Sequence, residues 1–259
     1  PNPQDPQSVQ QAQQVAHAAA LPQPDAAVPL DQYVTIKSGE SLMYLFYGIS
    51  KMPPDMNAVA EQISADYRMT SDQFKRQDML KVLTPRIQAS IAEQAQHRYV
   101  IWEVEGDVLE HYDFNAKRFP IKPVYWNGNS RFYWNDLSQY QISFTAPDAL
   151  HDLQVADEAL ARDVEGMVSK YQPMRMKLYA FVQDTDLNSK TLKAVITHVE
   201  LLDRNGRQLA YAALSALTAL PAAGTRFRYT GPVVSGATLG AWAHEPLSAT
   251  ELAAVAGLA

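Results

Sequence analysis

The chain has 259 residues and a mass of 28.8 kDa, with 47% apolar and 10% aromatic residues, a formal net charge of −6 and no cysteine. That is apolar material enough for one large domain or two small ones. The missing cysteine excludes disulfides, thiolate metal sites and a cysteine nucleophile in this chain, the scattered Lys and Arg lack the concentrated charge that phosphate binding needs, and no apolar run reaches the ~18 residues of a membrane span.

Residues 1–30 contain seven Gln, seven Ala and six Pro, and no Lys, Arg, Gly, Phe, Tyr or Trp. Such a stretch buries too little apolar surface to offset its ordering entropy, and its prolines interrupt a helix. It reads as a disordered tether. The chain begins at Pro1 rather than Met, which is expected of an exported protein whose signal peptide, and a lipid-bearing cysteine, precede it. The competing expectation is a trimmed boundary within a larger cytoplasmic or membrane-anchored protein.

From 31 to 97 the pattern is helical. Ser38-Gly39-Glu40 precedes Leu42, Leu45, Phe46 and Ile49, whose spacing defines one helical face. Pro53-Pro54 stops that element, and a second helix starting at Pro54 or Asp55 turns Val59 and Ile63 inward. Thr70 and Gln73 have capping-box spacing, with Met69 and Phe74 in staple positions. Leu80, Leu83, Ile87 and Ile91 continue that helix, which Pro85 is expected to kink or divide.

After Tyr99 the pattern changes to strands and tight turns. Glu105-Gly106-Asp107 predicts a hairpin between the run from Tyr99 and Val108–Phe114, and Asn127-Gly128-Asn129 a turn before Phe132-Tyr133-Trp134. A third hairpin joins Thr191–Leu202 to Gln208–Ala213 through Asp203-Arg204-Asn205-Gly206, where Asn-Gly suits a type I′ turn. Met174, Met176, Leu178, Ala180 and Val182 form an alternating apolar face, and 157–170 reads as an inserted helix with Leu160, Val164 and Met167 inward. Residues 209–220 pit an Ala-rich helical propensity against the preceding hairpin, which favours strand at the start. Residues 221–259 look irregular, apart from a short terminal helix announced by the Ser248/Glu251 capping box.

The fold class is therefore α+β: N-terminal helices, then a mainly antiparallel sheet with an inserted helix, preceded by a disordered tail. Residues 31–259 are taken as one domain, helical over 31–97, sheet-rich over 98–220 and irregular over 221–259. Phe74-Lys75-Arg76-Gln77-Asp78, Tyr112-Asp113-Phe114 and the Asp203-Arg204-Asn205-Gly206 hairpin resemble an uncharacterised family of bacterial exported proteins described as a domain of unknown function, over roughly residues 31–215. The resemblance implies an envelope location and supplies no catalytic residues.

Chemistry has to be sought residue by residue. Asp184-x-Asp186-x-Asn188 matches the first three ligand positions of an EF-hand loop, but Ser189 and Val195 replace the required Gly and Glu, so a solvated turn is the preferred reading and no metal is assigned. The six histidines are dispersed. His198 falls in the row Leu192, Ala194, Ile196, His198, Glu200, which regular alternation would direct to one side, and it reads as a sheet-margin histidine. Glu103 and Glu105 share a strand face that reads as wet rather than catalytic. No GxSxG, Ser-x-x-Lys, Walker or GxGxxG motif occurs.

Twelve of the 25 aromatic residues lie between Tyr99 and Phe144. Alternation prevents Phe132, Tyr133 and Trp134 from all facing inward, so Trp126, Arg131, Tyr133 and Trp134 are the candidate ligand-binding residues, able to stack on a sugar or grip a peptide. The expected function is a noncatalytic, periplasmic or lipid-anchored envelope protein that binds an envelope protein or glycan, with no cofactor and no nucleic-acid partner. The alternatives are a hydrolase of envelope glycan or peptide, and an accessory or inhibitor subunit of a secretion system.

Overall fold

The structure, a computed structural model, describes residues 20–25 and 27–214. It is α+β, with helices preceding a mainly antiparallel six-stranded sheet. Most of the predicted tail, residues 1–19 and 26, lies outside the described residues, as do 215–259 with the terminal helix expected at Ser248.

Helix α1 (Gly39–Ser50) is capped by Ser38, which accepts from the Ser41 N–H, and ends at Lys51 in the left-handed region. Leu42, Leu45 and Phe46 of the predicted face are buried and Ile49 lies at the core's edge, but Met43, Tyr44 and Tyr47 are buried too, because α1 packs against both α4 and the sheet. Burial of each large apolar side chain stabilises by about 1.5–3 kcal/mol. Gly48 permits the close approach to α4's end, since a Cβ there would meet the Ala95 Cα at 2.8 Å. Asp55 caps α2 (Met56–Ile63), which places Val59 in the core and Ile63 at its edge; α3 (Ala65–Met69) follows. Helix α4 (Gln73–Gln94) is not divided at Pro85. Its cap is Asp72 rather than Thr70: the Asp72 carboxylate accepts from Phe74 and Lys75 N–H, while the Thr70 hydroxyl donates to the Asp66 carbonyl of α3. The staple does not form either, for Met69 and Phe74 are each 82% exposed.

The sheet runs β1 (Val34–Thr35), β2 (Tyr99–Gly106), β6 (Met174–Asp186), β7 (Thr191–Leu202), β4 (Gln141–Thr145), with β8 (Gln208–Ala213) on β7's outer edge as well. That edge is divided: β4 pairs in parallel with 191–195 and β8 antiparallel with 198–202. Strands β3 (Arg118–Pro120) and β5 (Asp152–Gln154) pair separately. Helix α5 (Glu158–Ser169) is the inserted helix, capped by Asp157; of the expected inward residues Val164 is buried, with Ala161 and Val168 beside it, while Leu160 and Met167 are only partly buried at the core's edge. The predicted β6 face is buried at every position from Met174 to Val182.

Three expected features differ. Residues 108–114 do not return along β2, whose neighbours are β1 and β6; they turn at Asp113 and run back as 118–122, with Leu109 opposite Ile121. The Asn127-Gly128-Asn129 turn does not pair its flanks with each other, because Gly128 and Phe132 bond to Phe144 and Ile142 of β4. The β7–β8 turn is not type I′, which requires positive φ at two central residues. Only Gly206 is left-handed, at φ +83°, and its N–H returns to the Asp203 carbonyl.

His198 shows how one residue resets a strand. Tyr179 pairs with His198 and Ala180 with Ile196, so Thr197 is an extra, bulged residue. Leu192, Ala194 and Ile196 face the core before the bulge, and Val199 and Leu201 after it. His198 and Glu200 therefore face the opposite side from Ile196, which corrects the single row expected from strict alternation.

Candidate binding groove

The hairpin arm 108–122 and helix α5 together form a groove of about 620 Å³. The arm's tip is shaped by Asp113, whose Oδ1 accepts from the Asn115 and Ala116 N–H groups at 2.9 and 3.0 Å. Lys117 completes the turn at φ +54°. Tyr112 anchors the arm: its ring packs on Phe119, with centroids 4.8 Å apart, and its hydroxyl donates to the Val155 carbonyl at 2.9 Å. Phe114 sets its ring edge-on against Tyr112 at 5.2 Å and remains 79% exposed at the rim.

Helix α5 contributes the stripe Glu158, Arg162, Glu165, Gly166 and Ser169, spaced by three, four and one along the helix so that all lie beside the groove. Glu165 ties the two walls together. Its carboxylate accepts from the Tyr112 N–H at 3.0 Å and the Ser169 hydroxyl at 2.9 Å, and meets His111 Nδ1 at 2.7 Å. Partial burial opposes ionisation of this carboxyl, but the Tyr112, His111 and Ser169 bonds outweigh it and hold its pKa below the ordinary value. Arg162 is engaged by Glu158 at 2.6 Å. A Cβ built at Gly166 would meet nothing within 4 Å, so this glycine borders open space.

Ser169, Glu165 and His111 do not compose a nucleophilic triad. The serine and histidine both bond to Glu165 Oε1, which puts the carboxylate between them. A triad needs the imidazole between nucleophile and acid, where it can take the hydroxyl proton.

The four residues singled out from sequence lie elsewhere and face different neighbours. Trp126 stacks on His151, with centroids 3.6 Å apart, and donates from Nε1 to the Ile121 carbonyl at 3.0 Å. Arg131 reaches the β6–β7 turn, donating to the Ser189 and Thr191 hydroxyls. Trp134 packs on Trp102 at 5.8 Å, and Tyr133 is half exposed. The Asp186 carboxylate accepts from Asn188 and Ser189 N–H, making the solvated turn between β6 and β7, and no cluster of metal-ligating side chains occurs among the described residues. Glu103 and Glu105 are exposed opposite Lys177 and Arg175.

On the sheet face away from the core, Tyr33, Tyr179, His198 and Tyr211 surround the bulge. Tyr179 donates to Glu200 at 3.1 Å, and Lys177 pairs with the same carboxylate at 3.2 Å. This face is closed by aromatic packing rather than hollow. Sequence reasoning missed the groove because the Tyr112–Glu165 contact that joins its two walls spans 53 residues. Two signals were present: Tyr112-Asp113-Phe114 stood out as a motif, and Gly166 interrupts an otherwise well-formed helix.

Residues 59–162 match the family model described as Domain of unknown function (DUF4852). The match runs from within α2 through the hairpin arm to the first turn of α5, so it includes Tyr112, Phe114 and Lys117 but ends before Glu165 and Gly166. It contains two of the three motifs on which the resemblance was drawn and is narrower than the 31–215 expected. No curated protein and no solved structure matches the chain. No helix among the described residues is long and apolar enough to cross a membrane.

Proposed function

We propose that the protein is a noncatalytic binding module of the bacterial cell envelope, and that the groove between the 108–122 arm and α5 is where it binds. One observation carries the reading: the groove's carboxylates, guanidinium and hydroxyls are engaged with one another, while its apolar floor and the Phe114 rim are open. Polar groups locked in mutual hydrogen bonds position walls; they do not supply a free base or nucleophile. An exposed aromatic beside a concave surface supplies contact area at low entropic cost. The envelope location rests on the composition of the first thirty residues and on the family resemblance.

The test places a photo-crosslinking benzoylphenylalanine at position 114, and as a control at position 82, in cells making the full gene product, followed by fractionation. The expected result is a discrete adduct from position 114 only, in the periplasmic or membrane-associated fraction. Equal labelling at both positions, a purely cytoplasmic product, or turnover of purified envelope glycan by the protein would overturn the proposal.

A further inference from the structure

The groove also specifies the kind of molecule that fits it, an inference that rests on the binding reading above. Of the ionisable groups that line it, Glu158, Arg162 and Glu165 have direct partners and one ammonium has none. Glu165 has three partners, Arg162 has Glu158, and the Tyr112 hydroxyl has the Val155 carbonyl. Lys117 is different: its ammonium makes no ion pair or hydrogen bond among the described residues, although its backbone is fixed by its carbonyl's bond to the Val155 N–H. The left-handed turn places this cation at the groove's edge.

The same groove also has an apolar part. Ala156, Ala161 and Gly166 offer a shallow floor, and Tyr112 and Phe114 a rim of two edge-on rings. Gly166 gives independent support. Glycine inside a helix is unfavourable relative to alanine, and close packing by another part of the fold is the usual compensation, as at Gly48 against Ala95. No part of the described chain occupies the space over Gly166. The volume of about 620 Å³ is that of a small-molecule site rather than a long peptide track.

The geometry points to a small carboxylic acid with an apolar body as the occupant, its carboxylate on Lys117 and its aromatic or branched aliphatic group over Gly166 against Phe114. A carboxylate supplies the charge that Lys117 lacks, and the ring or branched chain fills the floor that glycine leaves open.

The experiment is calorimetric titration of the purified chain with benzoate, 3-phenylpropionate and 4-methylpentanoate, each beside its carboxamide. At least one acid is expected to bind saturably and at least tenfold more tightly than its amide. Lys117→Asn, which removes the charge and tolerates positive φ, should erase that preference; Gly166→Leu should abolish binding of acid and amide alike, with circular dichroism unchanged in both variants. Acid and amide binding equally, with both blocked by Gly166→Leu, overturns the carboxylate assignment while leaving the groove as the binding site. No binding by any probe also overturns the assignment, and crosslinking at position 114 reports on the groove independently. A tripeptide N-acetyl-Ala-Ala-Phe with a free C-terminus that binds tenfold more tightly than 3-phenylpropionate would replace the small acid with a peptide terminus.

Discussion

The hydroxyl oxygens of Tyr33 and Thr197, 164 residues apart in the chain, lie 2.9 Å from each other. Thr197 is the extra residue of the β7 bulge, and three groups meet its single oxygen. It donates to the Tyr179 carbonyl at 3.1 Å, so it accepts from Tyr33 and, at 3.0 Å, from His198 Nδ1. This arrangement assigns the Nδ1–H tautomer to His198. Thr197→Val keeps the shape and removes all three bonds, leaving buried polar groups unpaired. The expected cost is about 1–3 kcal/mol. Hydrogen exchange should report loosening of residues 30–36, which Tyr33 attaches to the sheet, with exchange in α4 unchanged.

Burial pushes the His198 imidazole below its ordinary 6.5. Between the folded value and about 6.5 the unfolded chain binds more protons than the folded one, so stability falls as pH drops through that interval and is fully present above it. Tyr33, Tyr179, Tyr211, Glu200 and Lys177 face the same region. Burial pushes the three tyrosines further up, away from this interval, and Lys177 and Glu200 are common to both proteins compared. Urea denaturation from pH 5 to 8 should therefore show a decline below about 6.5 in the native protein that is reduced in His198→Gln. Parallel curves would overturn the assignment to His198.

Two helix glycines should respond in opposite directions to the same change. At Gly166 an added methyl meets nothing within 4 Å, and Ala recovers helix propensity, so Gly166→Ala should stabilise by about 0.5–1 kcal/mol. At Gly48 the methyl would lie 2.8 Å from the Ala95 backbone, and relief requires α1 and the end of α4 to separate. Gly48→Ala should cost about 1–3 kcal/mol. Thermal melts of the two variants decide the matter.

The start of α4 offers a simpler comparison. Asp72→Ala should destabilise by about 1 kcal/mol, since it removes the side chain that satisfies two first-turn N–H groups. Phe74→Ser, at the position of the unformed staple, should leave the melting temperature within a degree or two because the ring is exposed. A large loss on Phe74→Ser would show that the ring packs in solution.

Helices α1 and α5, strand β6 and the β7–β8 pairing were legible in sequence because their signals are local: starts at Ser38 and Asp157, spacing in α1, and strict alternation from Met174 to Val182. The failures share a cause. At the start of α4 the Thr70–Gln73 spacing mattered less than where the oxygens lie: the Thr70 hydroxyl points back to the Asp66 carbonyl, and Asp72 reaches the first-turn N–H groups. Residues 108–114 have strand composition, but β2's second edge is taken by β6, some 70 residues later in the chain, so they fold on themselves. A bulge at Thr197 leaves no mark in hydrophobic alternation until Val199 is seen on the wrong beat. The groove itself depends on an arm and a helix meeting across sequence, and only the Tyr112-Asp113-Phe114 motif and the unforced glycine of α5 hinted at it.

The order of pairing also governs how the molecule can be assembled. Strand β2 gains its long antiparallel neighbour only when β6 is available, and β4 can join only the first half of β7. Helix α1 packs on β6 as well as on α4, so it lacks its sheet neighbour until residues beyond 174 are present, and closing loops of that length slows folding. The face of α1 that meets β6 therefore stays uncovered while the helices and β2 are already present.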